Sequence, residues 1–205
     1  MKTKSGKRKL PKGWRWIRLG EVGLLVQGGT PSTEIEDYWH GQIPFVTGAD
    51  VTSLHVERAR SFLTEKGISS GKTEECKKGD LLVVSRTRVG RVGIAGVRLA
   101  ISQDVSVVKV SSGFSSEYLA LCLRSLSHEL ENACQGATIK GLTRSFLEHL
   151  EIPLPATVDE QLAIAAELER KLRQVESMRL AAARQLEAFS ALPGAILREA
   201  FDFEP

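Results

Sequence analysis

Residues 159–192 read DEQLAIAAELERKLRQVESMRLAAARQLEAFSAL, a run of 34 positions without glycine or proline. Ala, Leu, Glu, Gln and Arg dominate it, residues that lose little freedom in a helix. The run predicts one long helix, about 50 Å from end to end at 1.5 Å per residue. Leu168, Val175, Ala182, Phe189 and Ile196 recur at one heptad position, and Leu172, Arg179, Leu186 and Pro193 at the other seam position. The outcome is an apolar stripe with two faults, and such a stripe calls for a second helix. Glu167 with Lys171 and Glu169 with Arg173 stand four apart in the favourable orientation, as suits the flanks of a helix pair in water. Pro193 is expected to start a fresh turn, with a short helix continuing to Phe201.

Upstream the texture changes. From Gly13 to Pro155, short β-branched runs alternate with Gly-rich turns. Strands are expected at Trp14 to Leu19, Ile43 to Thr47, Leu81 to Ser85, Val92 to Val97 and Val105 to Val110. The sequence Lys78-Gly79-Asp80 marks a turn before a buried strand. Ser115 or Ser116 is placed to cap a helix running to about Cys134, with Leu119, Cys122, Leu126 and Leu130 on its core face. The fold class is therefore α+β: a basic flexible tail over 1–12, a mixed α/β domain over 13–155, and a long helix with a short C-terminal helix over 156–205.

Composition narrows the function. The chain has 205 residues, 42% hydrophobic and 26% charged, enough for one ordinary domain and an appendage. No apolar run approaches the ~20 residues that cross a bilayer, and the lysine-rich start has no apolar segment behind it, so a cytoplasmic protein away from membranes is expected. Three cysteines (Cys76, Cys122 and Cys134) support neither a disulfide framework nor a zinc knuckle. Lys72, Lys77 and Lys78 beside Cys76 are of a kind that lowers a thiol pKa. His40, His55, His128 and His149 lie far apart without metal-ligand spacing, and no dinucleotide fingerprint or phosphate loop occurs. No catalytic residue, metal or cofactor is expected, and binding is the default.

The net charge of +3 conceals an asymmetry, because the first twenty residues hold eight Lys or Arg and no acid, leaving the rest of the chain acidic. Nucleic-acid binding must then rest on a local patch. Between Lys77 and Arg98 there are six basic residues against the single acid Asp80, which reads either as a solvated loop or as a phosphate-facing surface.

Several segments, in order and spacing, resemble one family. Leu10-Pro11-Lys12-Gly13-Trp14, Leu19-Gly20-Glu21 and Gly28-Gly29-Thr30-Pro31-Ser32 are followed by Tyr38-Trp39-His40-Gly41-Gln42-Ile43-Pro44-Phe45-Val46-Thr47. Leu63-Thr64-Glu65-Lys66-Gly67-Ile68, Gly79-Asp80-Leu81-Leu82, Arg91-Val92-Gly93 and Gln135-Gly136-Ala137-Thr138 come next. Leu150-Glu151-Ile152-Pro153-Leu154-Pro155 and Asp159-Glu160-Gln161 close the series. Together they resemble the specificity subunit of type I restriction-modification systems over about residues 10 to 201.

The resemblance implies a target-recognition domain that reads double-stranded DNA in the major groove, a spacer helix on which a DNA methyltransferase subunit docks, a restriction subunit as a further partner, and no catalysis of its own. A full specificity subunit carries two recognition domains and two spacer helices, whereas this sequence carries one of each, which implies a half-length form. Its expected partner is a second copy, paired through antiparallel helices by Leu168, Leu172, Val175, Leu186 and Phe189. On the DNA surface Arg86, Arg88 and Arg91 are the first candidates, since a guanidinium fork matches guanine O6 and N7 or a phosphate. Thr30, Ser32 and the open Gly28-Gly29 backbone are placed to donate to phosphate. Tyr38 and Trp39 are candidates to wall the groove, although for Trp39 a core anchor is the favoured reading. Lys140 and Arg144 are candidate phosphate clamps. The alternative is a coiled-coil interaction protein or decoy that binds the methylating subunit without reading DNA.

Overall fold

A computed structural model describes residues 9–135 and 141–201. The chain divides into two compact units, Met1–Ala163 and Ile164–Pro205. In the first unit β1 (Arg15–Arg18) pairs antiparallel with β11 (Glu151–Leu154), Ile17 opposite Ile152, so that entry and exit lie side by side. Between them come β2 (Gly23–Gln27), β3 (Trp39–Val46), β4 (His55–Val56), β5 (Ser61–Leu63) and β6 (Glu74–Cys76). After these follow β7 (Leu81–Val84), β8 (Val92–Ala95), β9 (Leu99–Ile101) and β10 (Val105–Val110). They form a mixed five-stranded sheet ordered β2-β10-β7-β8-β4 and a mixed four-stranded sheet ordered β5-β3-β9-β6. The helices are α1 (Glu65–Ser69), α2 (Ser116–Ser125), α3 (Ser127–Gln135), α4 (Arg144–Glu148) and α5 (Val158–Phe201).

The two sheets share one apolar core. Val46, Cys76, Leu99 and Ile101 of the smaller sheet meet Leu82, Val84, Val105 and Val107 of the larger. The alternation of side chains along β7 then turns Leu81 and Val83 to its other face, the side on which α2 packs with Leu119 and Leu123 fully buried. A strand covered on both faces cannot alternate apolar with polar, and LLVV does not. The turn before it needs Gly79 at φ +95°, and the buried Asp80 carboxylate accepts from the Lys77 N–H at 2.9 Å. Desolvation raises the Asp80 pKa against the pull of that hydrogen bond.

The expected strands at 81, 92 and 105 are present with boundaries shifted by no more than two residues. Strand β3 begins earlier than expected, at Trp39, because a bulge between Trp39 and Ile43 lets one strand bend along β5, with His40 in the left-handed region at φ +62°. The single helix expected from Ser115 to Cys134 is two. Ser115 caps α2, accepting from the Tyr118 N–H at 3.1 Å, but Leu126 leaves helical geometry at ψ +7° and α3 starts afresh at Ser127. The break still leaves Leu119 and Leu130 fully buried.

The opening turns of α5 belong to the first unit. Thr157 caps them, its hydroxyl accepting from the Glu160 N–H at 3.2 Å. Glu160 accepts from the Trp14 indole at 2.9 Å, and the buried Gln161 carbonyl accepts from the Ser115 N–H at 2.9 Å. Trp14 also meets Tyr118 edge-on at 6.2 Å. Gly13-Trp14 and Glu160-Gln161, which lie at opposite ends of the unit's sequence, thus meet around the cap of α2.

The second unit is a helical rod, and α5 as a whole runs 44 residues, about 66 Å. It passes through Pro193 without the restart expected there. Proline removes the bond to the Phe189 carbonyl and crowds that oxygen, and on an exposed helix the carbonyl can tilt outward and be solvated by water. The expected pairs Glu167–Lys171 and Glu169–Arg173 form at 3.2 Å each, and the Arg170 and Lys171 partners hold the Glu167 carboxyl down at about 2. Leu168, Leu172, Val175, Leu186 and Phe189 are all exposed, Leu186 by 69%. Among the described residues no helix is long and apolar enough to cross a membrane.

Replacing Gln161 by Ala leaves the Ser115 N–H buried without its acceptor, and the expected cost is about 1–3 kcal/mol of stability. Chemical denaturation of the purified chain measures it; an unchanged midpoint would show that the lock between α2 and α5 contributes nothing.

Candidate nucleic-acid interface

Four loop segments meet at one end of the five-stranded sheet, beyond β2, β7 and β10. The Gly28 and Gly29 N–H groups donate to the carbonyls of Val105 and Ile101 at 3.0 and 3.1 Å. The Thr30 hydroxyl donates to the Gln103 side-chain carbonyl. The loop after β7 is fixed from the same side, because the Ser85 and Arg86 N–H groups both donate to the Asp104 carbonyl, at 2.8 and 3.2 Å. The Leu142 N–H donates in turn to the Ser85 carbonyl at 2.8 Å. Underneath, Gln27 donates to the Gln103 carbonyl at 2.7 Å and accepts from the Ser106 hydroxyl at 2.8 Å. Segments 27–32, 85–91, 102–104 and 141–144, far apart in sequence, therefore form one surface.

Arg86 and Arg88 are exposed on it, with no ion pair or side-chain hydrogen bond among the described residues. Between them Thr87 holds φ +57°, a conformation a β-branched residue rarely adopts, and its hydroxyl donates to the Arg86 carbonyl at 2.7 Å. Arg91 belongs elsewhere. It lines a separate cleft of about 360 Å³ with Arg124 and Ser127. Arg98, the last member of the basic run, is engaged: it donates to Glu65 at 2.5 and 3.0 Å and to Glu75 at 2.9 and 3.0 Å. Hydrogen bonds from Arg98 lower both carboxyl pKa values. Arg144 is answered by Glu148 at 2.7 Å, four residues on in α4. Lys140 lies outside the described residues.

Beside the arginine loop opens a cleft of about 710 Å³ whose lining includes Thr30, Glu34, Glu36, Trp39, Gln103 and Asp104. Its charged lining is acidic, so it repels phosphate and suits hydrogen-bond donors such as the exocyclic amino groups of cytosine or adenine. Trp39 is partly buried as a core anchor and also lines this cleft. Its ring meets Phe45 at 5.3 Å and 89°, and its indole donates to the Ser32 carbonyl at 3.0 Å. Thr47 at the margin is held by Asp50, which accepts from its N–H and hydroxyl at 2.9 and 2.6 Å and from Arg60 at 2.7 Å. Burial pushes the Asp50 pKa up, but these hydrogen bonds outweigh it and the net shift is downward.

Two further expectations change. The Gly28-Gly29 backbone is not open to phosphate: both N–H groups are used inside the fold. A Cβ on Gly28 would lie 2.3 Å from the Ser102 carbonyl oxygen, and one on Gly29 2.3 Å from that of Lys72. These glycines admit neighbouring chain, which is the reason no side chain is tolerated. Cys76 is buried, and desolvation raises its pKa despite the lysines nearby in sequence; burial pushes Cys122 up to about 11. Gln27, Gln103, Asp104 and Arg124 were not singled out from the sequence. Ser102-Gln103-Asp104, three polar residues between two apolar strands, was the available signal for the loop, whereas Arg124 reads from the sequence only as a cation within the helix expected from Ser115 to Cys134, and the structure moves it to the last turn of α2.

The model of the type I restriction modification DNA specificity domain matches residues 11–188. A type I restriction enzyme specificity subunit of Methanocaldococcus jannaschii, MjaIX, is 32% identical over 158 residues, which are 75% of this chain and 37% of that protein. The Escherichia coli EcoR124I/EcoR124II specificity subunit is 24% identical over 162 residues, 76% of this chain and 40% of that protein. Among solved structures, the HsdS subunit from Thermoanaerobacter tengcongensis superposes with a TM-score of 0.71 at 28% identity, over 95% of this chain and 46% of that one. A chain from structural work on complex assembly and conformational transition of the type I R-M system gives 0.81 at 28% identity, over 96% and 48%. The chain spans less than half the length of these relatives.

Gly29→Ala separates the two roles of the glycine pair. The methyl group must displace the Lys72 backbone, so the expected loss is about 1–3 kcal/mol of folding stability, read by thermal or denaturant melting. A variant with unchanged stability but impaired ligand binding would return Gly29 to the surface role.

Proposed function

The chain belongs to the family of type I restriction modification DNA specificity domains, and from that premise we propose that it is a sequence-reading component that binds double-stranded DNA and leaves the chemistry to its partners. A DNA methyltransferase subunit, and a restriction subunit where one is present, supply methylation and cleavage, and the chain itself carries no catalysis. The observation that supports this most is the loop of Arg86 and Arg88: two exposed guanidinium groups that form no ion pair among the described residues, on a backbone pinned at Ser85 and Arg86 to Asp104. An unpaired guanidinium fork on a fixed loop suits guanine O6 and N7. The neighbouring acidic cleft suits amino groups of bases, and the sugar-phosphate strand then passes outside it.

The helix of the second unit is the proposed docking element for the methylating subunit and for a second copy of this chain. Its stripe of Leu168, Leu172, Val175, Leu186 and Phe189 is exposed, and soluble monomers rarely keep so long an apolar strip in water. Antiparallel pairing of two identical helices is two-fold symmetric, and a two-fold protein matches a palindromic, bipartite target.

Incubated with S-adenosylmethionine and DNA, the chain alone is expected to transfer no methyl group, and with its methylating subunit to direct methylation to one sequence. Methyl transfer by the chain alone would overturn the reading. Within that complex Arg88→Ala is expected to weaken specific binding by about 1–3 kcal/mol and to relax preference at one base position. Equal loss across all sequences would make Arg88 a phosphate contact instead. Sedimentation of the wild-type chain is expected to show a dimer, which Leu172→Glu with Leu186→Glu converts to monomer or aggregate. A soluble wild-type monomer that binds an asymmetric site would refute the pairing.

A further inference from the structure

The cleft of about 360 Å³ on the far side of the arginine loop is lined by Arg91, Arg124, Thr52, Ser127 and Glu131, among others. Arg91 stands at the start of β8 and Arg124 in the last turn of α2, so its two cations come from different elements. Neither guanidinium has an ion pair or hydrogen bond among the described residues, although Glu131 lines the same cleft. The hydroxyls of Thr52 and Ser127 likewise have no partner there, whereas the adjacent Ser53 hydroxyl is taken by the His55 carbonyl at 2.6 Å. Elsewhere in the unit Arg60, Arg98 and Arg144 each hold a carboxylate. Arg124 does complement the C-terminal dipole of α2, but this asks only for a charge and leaves the guanidinium fork unused.

The walls are fixed relative to each other. Gly90, at φ +88°, lies so close to α3 that a Cβ there would be 2.7 Å from the Ser127 carbonyl oxygen. That contact pins the base of the arginine loop to the helix and sets Arg91 at the cleft. A cleft built in advance of its ligand loses little entropy on binding.

We propose that this cleft seats one backbone phosphodiester of duplex DNA, between Arg91 and Arg124. The charge balance favours a diester. Two guanidinium groups and the Glu131 carboxylate leave one positive charge, which a monoanionic phosphodiester neutralises and a phosphate dianion overfills. Arginine presents parallel N–H donors to non-bridging phosphate oxygens, and the two hydroxyls add neutral donors. Contacts of this kind position the protein and carry no sequence information, which is why Arg91 is separated here from Arg86 and Arg88.

The inference rests on the DNA-binding reading above, and the experiment separates the two. Binding of the full chain, with its methylating subunit, to a random-sequence duplex is measured from 50 to 200 mM salt. Each phosphate contact steepens the loss over that fourfold range by about three- to fourfold. Arg124→Ala, at an exposed position that folding tolerates, is expected to lose that increment, with sequence preference unchanged. Arg124→Lys is expected to retain most of it, and Glu131→Gln to tighten binding to all duplexes. Inorganic phosphate at millimolar concentration is expected not to compete. Arg124→Ala with an unaltered salt slope, a change in sequence preference, or competition by inorganic phosphate that the wild type shows and Arg124→Ala abolishes, would each overturn the phosphodiester seat while leaving the DNA-binding reading in place. A wild-type complex that binds no duplex at all would overturn both.

Discussion

One carbonyl oxygen, that of Asp104, accepts two consecutive N–H groups, from Ser85 and Arg86. The arginine loop depends on that convergence. It sets the direction of the chain after β7 together with Leu142 on the Ser85 carbonyl, Gln27 on the Ser85 hydroxyl and Gly90 against α3. Asp104 is itself fixed by Ser102, whose hydroxyl accepts from the Asp104 N–H at 3.3 Å and whose carbonyl accepts from the Val105 N–H at 3.1 Å. The same short connection holds Thr30 through Gln103. Three polar residues between β9 and β10 thus organise a surface contributed by four remote segments. The strands behind them, buried on both faces, supply the rigidity.

The distribution of charge follows the same division. Acids and cations around the four-stranded sheet answer one another: Asp50 with Arg60, Asp37 with Lys66, Glu65 and Glu75 with Arg98, Glu74 with Lys109. Apart from the buried Asp50 carboxylate these pairs are largely exposed, and pairs of that sort contribute little to stability. Their larger effect is to neutralise those particular cations on that side of the unit. The cations not so answered include Arg86, Arg88, Arg91 and Arg124, all at or beside the loop after β7. Local potential depends on such clustering, and these four arginines gather unpaired charge from two elements around one loop.

The long helix and the central strands were legible in the sequence because their signals are long or dense: thirty-four residues without glycine or proline, and LLVV behind a Gly-Asp turn. Other elements were not. Strands β4, β5, β6 and β9 are two or three residues each, too short for any periodicity, and exist because neighbours with longer patterns offer them an edge. Glycines 28 and 29 were recognisable as a place of close approach, but what approaches is decided by tertiary packing, and it is the chain itself. Pro193 shows the converse limit: a strong local breaker is overridden where one lost hydrogen bond faces water. The basic run from 77 to 98 was visible as charge, yet its division into engaged Arg98, exposed Arg86 and Arg88, and cleft-lining Arg91 depends on residues up to forty positions away.

The antiparallel pairing of β1 with β11 places the first and last strands of the first unit next to each other, with Trp14 and Glu160 joined just beyond. Such a unit behaves as a cassette. The chain enters and leaves it through one doorway, so loops anywhere between Arg18 and Glu151 can be lengthened, shortened or replaced without moving that doorway. Novelty in what is recognised can accumulate in the interior of the cassette while the frame that receives it stays constant, and whole cassettes can be exchanged between chains that share only the doorway.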